Sequence, residues 1–234
     1  MRTLYTVGCS HTRYVWPTYA DILARSEDFD GGIQNWAQSG FGNFAIFNRV
    51  LEIVDDMQPQ DELIIQWTYP TRFDFHRHGE GWYQGGNLAN LHDGVQKVIA
   101  AVAYDEDSYR WHTENYIKVL TTYLDTRYVN YTMLSAEDQI KNNKPLSIMD
   151  DYDIEKRKFL YVLPTEKIPT KKFDTHWTPK HHLKYLEDIG CKITDSMLTY
   201  VNKAEEILDT IDDWRMIHHT MLEEKLIESR DYGR

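Results

Sequence analysis

The chain is short of several things, and each shortage excludes something. It has two cysteines, Cys9 and Cys191, in 234 residues. That is too few for a disulfide scaffold, and their spacing fits no zinc motif. No run approaches the roughly 18 apolar residues of a membrane span. The opening MRTLYTVGCSHT lacks the apolar core of about 7 to 15 residues that a secretory leader carries. Basic residues are outnumbered, 26 Lys and Arg against 37 Asp and Glu, for a formal net charge of −11. A general grip on nucleic-acid phosphates needs clustered cations, so neither nucleic acid nor membrane is an expected partner. Internal repeats, low-complexity tracts and interdomain linkers are also missing. The simplest address is a reducing cytoplasm.

Apolar residues make up 41% of the chain and aromatics 13%, which argues for a packed core rather than disorder. The length suits one domain of ordinary to large size. Residues 4 to 23 read as a strand, a polar turn and a helix. Leu4, Tyr5 and Val7 are β-prone, Gly8 permits a tight backbone, and Ser10, His11 and Thr12 follow at the strand's end. Pro17 falls where a first helical turn accepts it. A short strand around residues 33–37 ends in a loop carrying Gly40 and Gly42. Asn43 is the expected N-cap of the next helix. ELIIQWT, residues 62–68, is an apolar run typical of a strand buried on both faces. Strand–helix alternation of this kind favours a parallel sheet with right-handed crossovers.

Residues 69–95 read as irregular and rich in Gly, His, Trp and Tyr. Helices are expected over about 90–104 and 107–126, with strands over 127–134 and 159–164. Residues 136–158 are polar and read as loop or loose helix. A helix starts near Thr178 or Pro179, and two more span about 194–211 and 213–230. The expected division is an α/β domain over residues 1–190 and a C-terminal helical extension over 191–234. The extension packs on the domain or on a partner, and a homo-oligomer through these helices is the corresponding expectation.

Three short pieces hold chemically useful residues. They are Gly8-Cys9-Ser10-His11-Thr12 after the first strand, Ser39-Gly40-Phe41-Gly42-Asn43 after the second, and Asp174-Thr175-His176 before a late helix. Nucleophilic catalysis needs a hydroxyl, a histidine to take its proton and a carboxylate to orient that histidine. It also needs N–H donors where the oxyanion forms, and glycine lets backbone amides approach. Each piece has a plainer alternative: Ser10 as a helix cap, Gly40 and Gly42 as turn glycines, His176 as an ordinary hydrogen-bonded histidine. Neighbours on a strand face opposite ways, and Cys9 suits the core better than Ser10 does.

In this order the pieces resemble the SGNH/GDSL hydrolase family. The resemblance covers roughly residues 3–190 and implies a flavodoxin-like three-layer α/β/α sandwich with a central parallel sheet of about five strands. It implies an acyl or acetyl esterase, acting on small-molecule or carbohydrate esters, without a cofactor. By matching, Ser10 stands at the nucleophile, His176 at the base and Asp174 at the acid. The Ser10 and Gly40 amides stand at the oxyanion hole. The family's third block carries Gly-x-Asn-Asp, but here the strand end reads IIQWTYPTR. Thr68 falls at the matching place, with Asn43 or Arg72 as rivals for the missing donor. DTHWTP also looks like the Asp-x-His block of SGNH-like polysaccharide O-acetyltransferases. An O-acyltransferase and a degenerate binding module are therefore the alternatives to hydrolysis. The acidic, aromatic-rich composition and compressed motifs resemble SGNH-like proteins of tailed bacteriophages, which would make the address the host cytoplasm. His11, Trp67, Arg72, Trp82 and Trp177 are the candidate substrate contacts. Trp82, Tyr83, Phe73 and Phe75 are equally suited to stacking on a sugar and to anchoring their loop. His76 and His78, His181 and His182, and His218 and His219 come in close pairs. No Glu-x-x-His pattern accompanies them, so no metal is expected.

Overall fold

A computed structural model describes residues 1–87, 98, 105–135, 160–162 and 176–228. Five strands form one sheet, all parallel: β1 (Leu4–Val7), β2 (Ile33–Asn35), β3 (Glu62–Trp67), β6 (Asn130–Ser135) and β7 (Leu160–Val162). Their spatial order is β2-β1-β3-β6-β7. The chain lays β2 on one side of β1 and then returns to add β3, β6 and β7 on the other. The order therefore reverses at β1, and a crevice opens there outside the carboxyl ends of β1 and β3. Register runs Leu4 to Glu62 and Val7 to Ile65, so the residues after Val7 and those after Trp67 emerge at the same end of the sheet.

Alternation along the strands divides the interior into two cores. Tyr5, Val7, Leu63, Ile65, Trp67 and Met133 face one side. Helices α2 (Asn43–Ile53) and α3 (Glu106–Thr126) cover them with Ile46, Val50, Ile117, Leu120 and Leu124. Leu4, Ile64 and Leu134 face the other side. There they meet α1 (Tyr19–Leu23) and α4 (Pro179–Asp188), joined by α5 (Asp195–Thr210) and α6 (Trp214–Glu223). Each aliphatic side chain so buried contributes about 1.5–3 kcal/mol. The last two helices are continuous with this second core through Met197, Tyr200, Val201, Ala204, Leu208, Ile217 and Met221. Among the described residues no helix is long and apolar enough to cross a membrane.

Two local expectations need correction. Residues 69–95 are not simply irregular, because β4 (Arg72–Arg77) and β5 (Gly81–Asn87) pair as an antiparallel hairpin. Gly79 and Gly81, at φ 78° and 86°, take the left-handed turn conformations that close it. The N-cap of α2 is Gly42 rather than Asn43, whose side chain is used elsewhere. The helix expected over 90–104 and the loop over 136–158 lie almost wholly outside the described residues.

Candidate active site

The turn after β1 is built around two close approaches. A Cβ on Gly8 would overlap the Thr12 hydroxyl and lie 2.9 Å from Thr12 Cβ and 3.0 Å from Gln66 Cβ. Only glycine lets the turn pack so tightly on β3. Thr12 is pinned from several directions. Its hydroxyl donates to Gln66 Oε1 and lies 3.0 Å from the Tyr19 hydroxyl. Its carbonyl accepts from Thr18 Oγ1 at 2.7 Å and from Asn35 Nδ2 at 3.0 Å. The Thr12 and Arg13 amides both donate to the Cys9 carbonyl. Cys9 is fully buried and Ser10 is 3% exposed. The cap of α1 is Thr18, so Ser10 does not cap that helix.

Ser10 Oγ lies 2.9 Å from His176 Nε2, across 166 residues of sequence. The two are held together by the same short loop. Trp16 Nε1 donates to the Trp177 carbonyl at 2.7 Å, fixing the residue next to His176. Tyr14 stacks on the His176 ring with centroids 3.9 Å apart and planes 21° from parallel, and Trp16 packs edge-on against Tyr14. Downstream, Thr178 caps α4, its amide donating to His181 Nδ1 at 3.2 Å, and Pro179 occupies the first helical turn. His176 is thus placed two residues before a rigid helix start. Tyr14 and Trp16 were not among the expected site residues; the aromatic cluster in HTRYVWP is the signal that points to them. Asp174 lies outside the described residues.

Two further imidazoles surround this pair. His11 lies with its ring centroid 5.6 Å from that of His176. Its Nδ1 is buried and has no hydrogen-bond partner among the described residues. Burial, then the charges of His176 and Arg72, push His11 down to about 3. His182 is buried and is pushed well below the ordinary histidine range, chiefly by desolvation. Both rings stay neutral at physiological pH and add no positive charge against a proton taken up by His176.

The oxyanion-hole candidates separate clearly. Gln38 N–H donates to the Gly8 carbonyl at 3.1 Å, tying the loop after β2 to the Ser10 turn. Gly40 in that loop has φ 90°, a conformation that favours glycine. Neither the Ser10 nor the Gly40 N–H donates to another backbone carbonyl among the described residues. Thr68 Oγ1 is buried and also unpartnered there. Asn43, expected as a rival donor, is fully spent. Its Oδ1 accepts the Thr68 amide at 2.8 Å, and its Nδ2 donates to the Thr68 carbonyl at 3.0 Å and to Thr113 Oγ1 at 2.9 Å. It staples α2 to β3 and α3 instead of facing a substrate. The hairpin adds a second staple: Asp74 Oδ2 accepts the Gly42 amide at 2.6 Å and the Ala45 amide at 3.1 Å. Arg72 Nη1 donates to the Phe41 carbonyl at 3.2 Å. Desolvation raises the Asp74 carboxyl to about 6.

The expected substrate contacts divide likewise. Trp67 and Trp177 are 1% and 7% exposed and belong to the two cores, where their bulk is spent on packing. His11 adjoins His176, and Arg72 is half-buried beside Phe41. Trp82 packs edge-on against Phe41, Phe44 and His76. Among the described residues no group of three His, Cys, Asp or Glu is placed to hold a metal ion.

Neither a scan of the chain against protein-family models nor a search of curated proteins returns a match.

Proposed function

We propose that the protein is a serine-dependent ester hydrolase of the SGNH type, releasing a small acyl group such as acetyl. The observation that carries this is the 2.9 Å contact between Ser10 Oγ and His176 Nε2 at the carboxyl end of a parallel sheet. The sheet's order, numbered within the sheet as 2-1-3-4-5, is that of flavodoxin-like doubly wound folds. Helices on both faces support a three-layer α/β/α sandwich.

In this mechanism His176 Nε2 takes the Ser10 proton as Oγ bonds to the ester carbonyl carbon. The carbonyl oxygen becomes an oxyanion, met by the Ser10 and Gly40 N–H groups and the Thr68 hydroxyl. Collapse breaks the bond to the alcohol, which leaves with the proton held by His176. Water then enters, gives a proton to His176, and attacks the acyl-serine; the acid departs and Ser10 recovers its proton. Asp174 is assigned to orient the ring of His176. Tyr14 stacks on the face of that ring, and neutral His11 and His182 keep the local field permissive.

The test is hydrolysis of p-nitrophenyl acetate by wild type, Ser10→Ala and His176→Ala. Loss of about 10³-fold or more in either variant is expected for members of such a unit. Equal rates in wild type and Ser10→Ala would remove Ser10 from the mechanism. Cytoplasm is the proposed location, in keeping with two unpaired cysteines.

A further inference from the structure

The loop that carries Ser10 also lays a ring over the partner of Ser10. Tyr14 stacks on the His176 imidazole, with centroids 3.9 Å apart and planes 21° from parallel. The stacked ring is itself braced. Trp16, which is buried, packs edge-on against Tyr14 with centroids 4.6 Å apart, and its indole N–H donates to the Trp177 carbonyl. Tyr14 also packs against the core shared by α1 and α4. One residue, Trp16, thus fixes both the backbone that follows His176 and the ring that covers it.

Such a stack favours a charged imidazole over a neutral one. The face of a phenol ring carries the negative part of its quadrupole, which attracts a cation lying over it. In the mechanism above, His176 meets the substrate neutral and becomes positive in each tetrahedral intermediate. The contact therefore strengthens as the barrier is climbed, and only contacts of that kind accelerate a chemical step. The neighbours named so far act differently. Ser10 exchanges its proton with the ring across 2.9 Å. His11, tilted 45° with its centroid 5.6 Å away, and His182 of α4 are both kept neutral, chiefly by burial. Arg72 of β4 acts on His11 as a positive charge, and a positive charge opposes a second one nearby.

We propose that Tyr14 is a positioning residue of the reaction: its ring face aligns the His176 imidazole toward Ser10 and stabilises the imidazolium formed when Ser10 gives up its proton. The assignment rests on the ester-hydrolase function proposed above. The proton still passes from Ser10 Oγ to His176 Nε2 and on to the leaving alcohol. Tyr14 exchanges no proton, so its ring matters and its hydroxyl does not.

The experiment varies the charge on the ring face while holding its shape. Tyr14→Phe, Tyr14→Leu and three proteins with phenylalanine bearing one, two or three ring fluorines at position 14 are assayed on p-nitrophenyl acetate, beside wild type and Ser10→Ala. Fluorine drains negative charge from the face of the ring and adds little bulk. From phenylalanine through its three fluorinated forms, kcat and kcat/KM fall together in steps, by about 3- to 30-fold in total. KM changes little, as expected where the lost contact belongs to the transition state. Tyr14→Phe retains most of the wild-type rate, whereas Tyr14→Leu, which fills space without a π face, falls at least as far as the trifluorinated protein. Thermal melts of the same proteins separate loss of rate from loss of fold. Rates indifferent to fluorine in folded protein, or a change confined to KM, overturn the proposal and leave Tyr14 as packing alone. Equal rates in wild type and Ser10→Ala overturn the esterase function instead and, with it, the part assigned to Tyr14.

Discussion

Replacing Gly8 by alanine sets a methyl group against the residues that hold the Ser10 turn. The new Cβ would overlap the Thr12 hydroxyl and approach Thr12 Cβ to 2.9 Å and Gln66 Cβ to 3.0 Å. Thr12 cannot rotate away freely, because its hydroxyl is shared with Gln66 and Tyr19 and its carbonyl is held by Thr18 and Asn35. Overpacking costs about 1–3 kcal/mol and stranding a buried hydrogen bond about 1 more, so a loss of about 2–4 kcal/mol is expected. The turn must also shift, and a displacement of about 1 Å at the nucleophile costs about 10²-fold in rate. Urea denaturation reads the first effect and p-nitrophenyl acetate hydrolysis the second. The double variant Gly8→Ala/Thr12→Ala removes the closest overlap, so its stability loss falls short of the sum of the singles by about 1 kcal/mol or more. Strict additivity, or a Gly8→Ala protein within about 0.5 kcal/mol of wild type, would refute the claim that this packing fixes Ser10.

Thr68→Val keeps the side-chain shape but removes a buried hydroxyl that has no hydrogen-bond partner among the described residues. Stability should hold or rise by up to about 1 kcal/mol while kcat falls about 10- to 10³-fold, checked by thermal melts and ester turnover. Trp16→Phe deletes the donor to the Trp177 carbonyl. It should cost about 1–2 kcal/mol and lower kcat more than it alters KM, since the loss falls on the support of His176. Asp74 gives up its proton near 3.8 in the unfolded chain and near 6 when folded. Between those values the folded state holds the extra proton, so Asp74 makes stability fall as pH rises. The stability of Asp74→Asn relative to wild type should therefore rise by about 3 kcal/mol from pH 3.5 to pH 7; a difference independent of pH would contradict this.

Local signals carried a good part of the architecture. The apolar run ELIIQW becomes β3, and Thr178-Pro179 starts α4, because buried strands and helix starts are written in adjacent residues. Ser10 and His176 stand out in the sequence as candidates because they follow a strand and precede a helix in short polar blocks. What brings them together is not local. Trp16 reaches a carbonyl 161 residues away, and nothing in HTRYVWP specifies that partner. The β4–β5 hairpin was missed because its sequence mixes apolar, charged and glycine residues, and its pairing slips between Arg72 and Asp74. Asn43 looked like a cap because that is asparagine's commonest task at such a position; its true partners, Thr68 and Thr113, lie 25 and 70 residues away. Tryptophan at a strand end or beside a candidate histidine suggests a ligand, but Trp67 and Trp177 pack in the two cores.

The most direct measurement is to treat the folded protein with a fluorophosphonate and locate the adduct by mass spectrometry. A serine activated by His176 takes up one phosphonyl group at Ser10, and His176→Ala suppresses the reaction. A well-folded protein that stays unlabelled, or that carries the label on another residue, would contradict the proposal that Ser10 is the nucleophile.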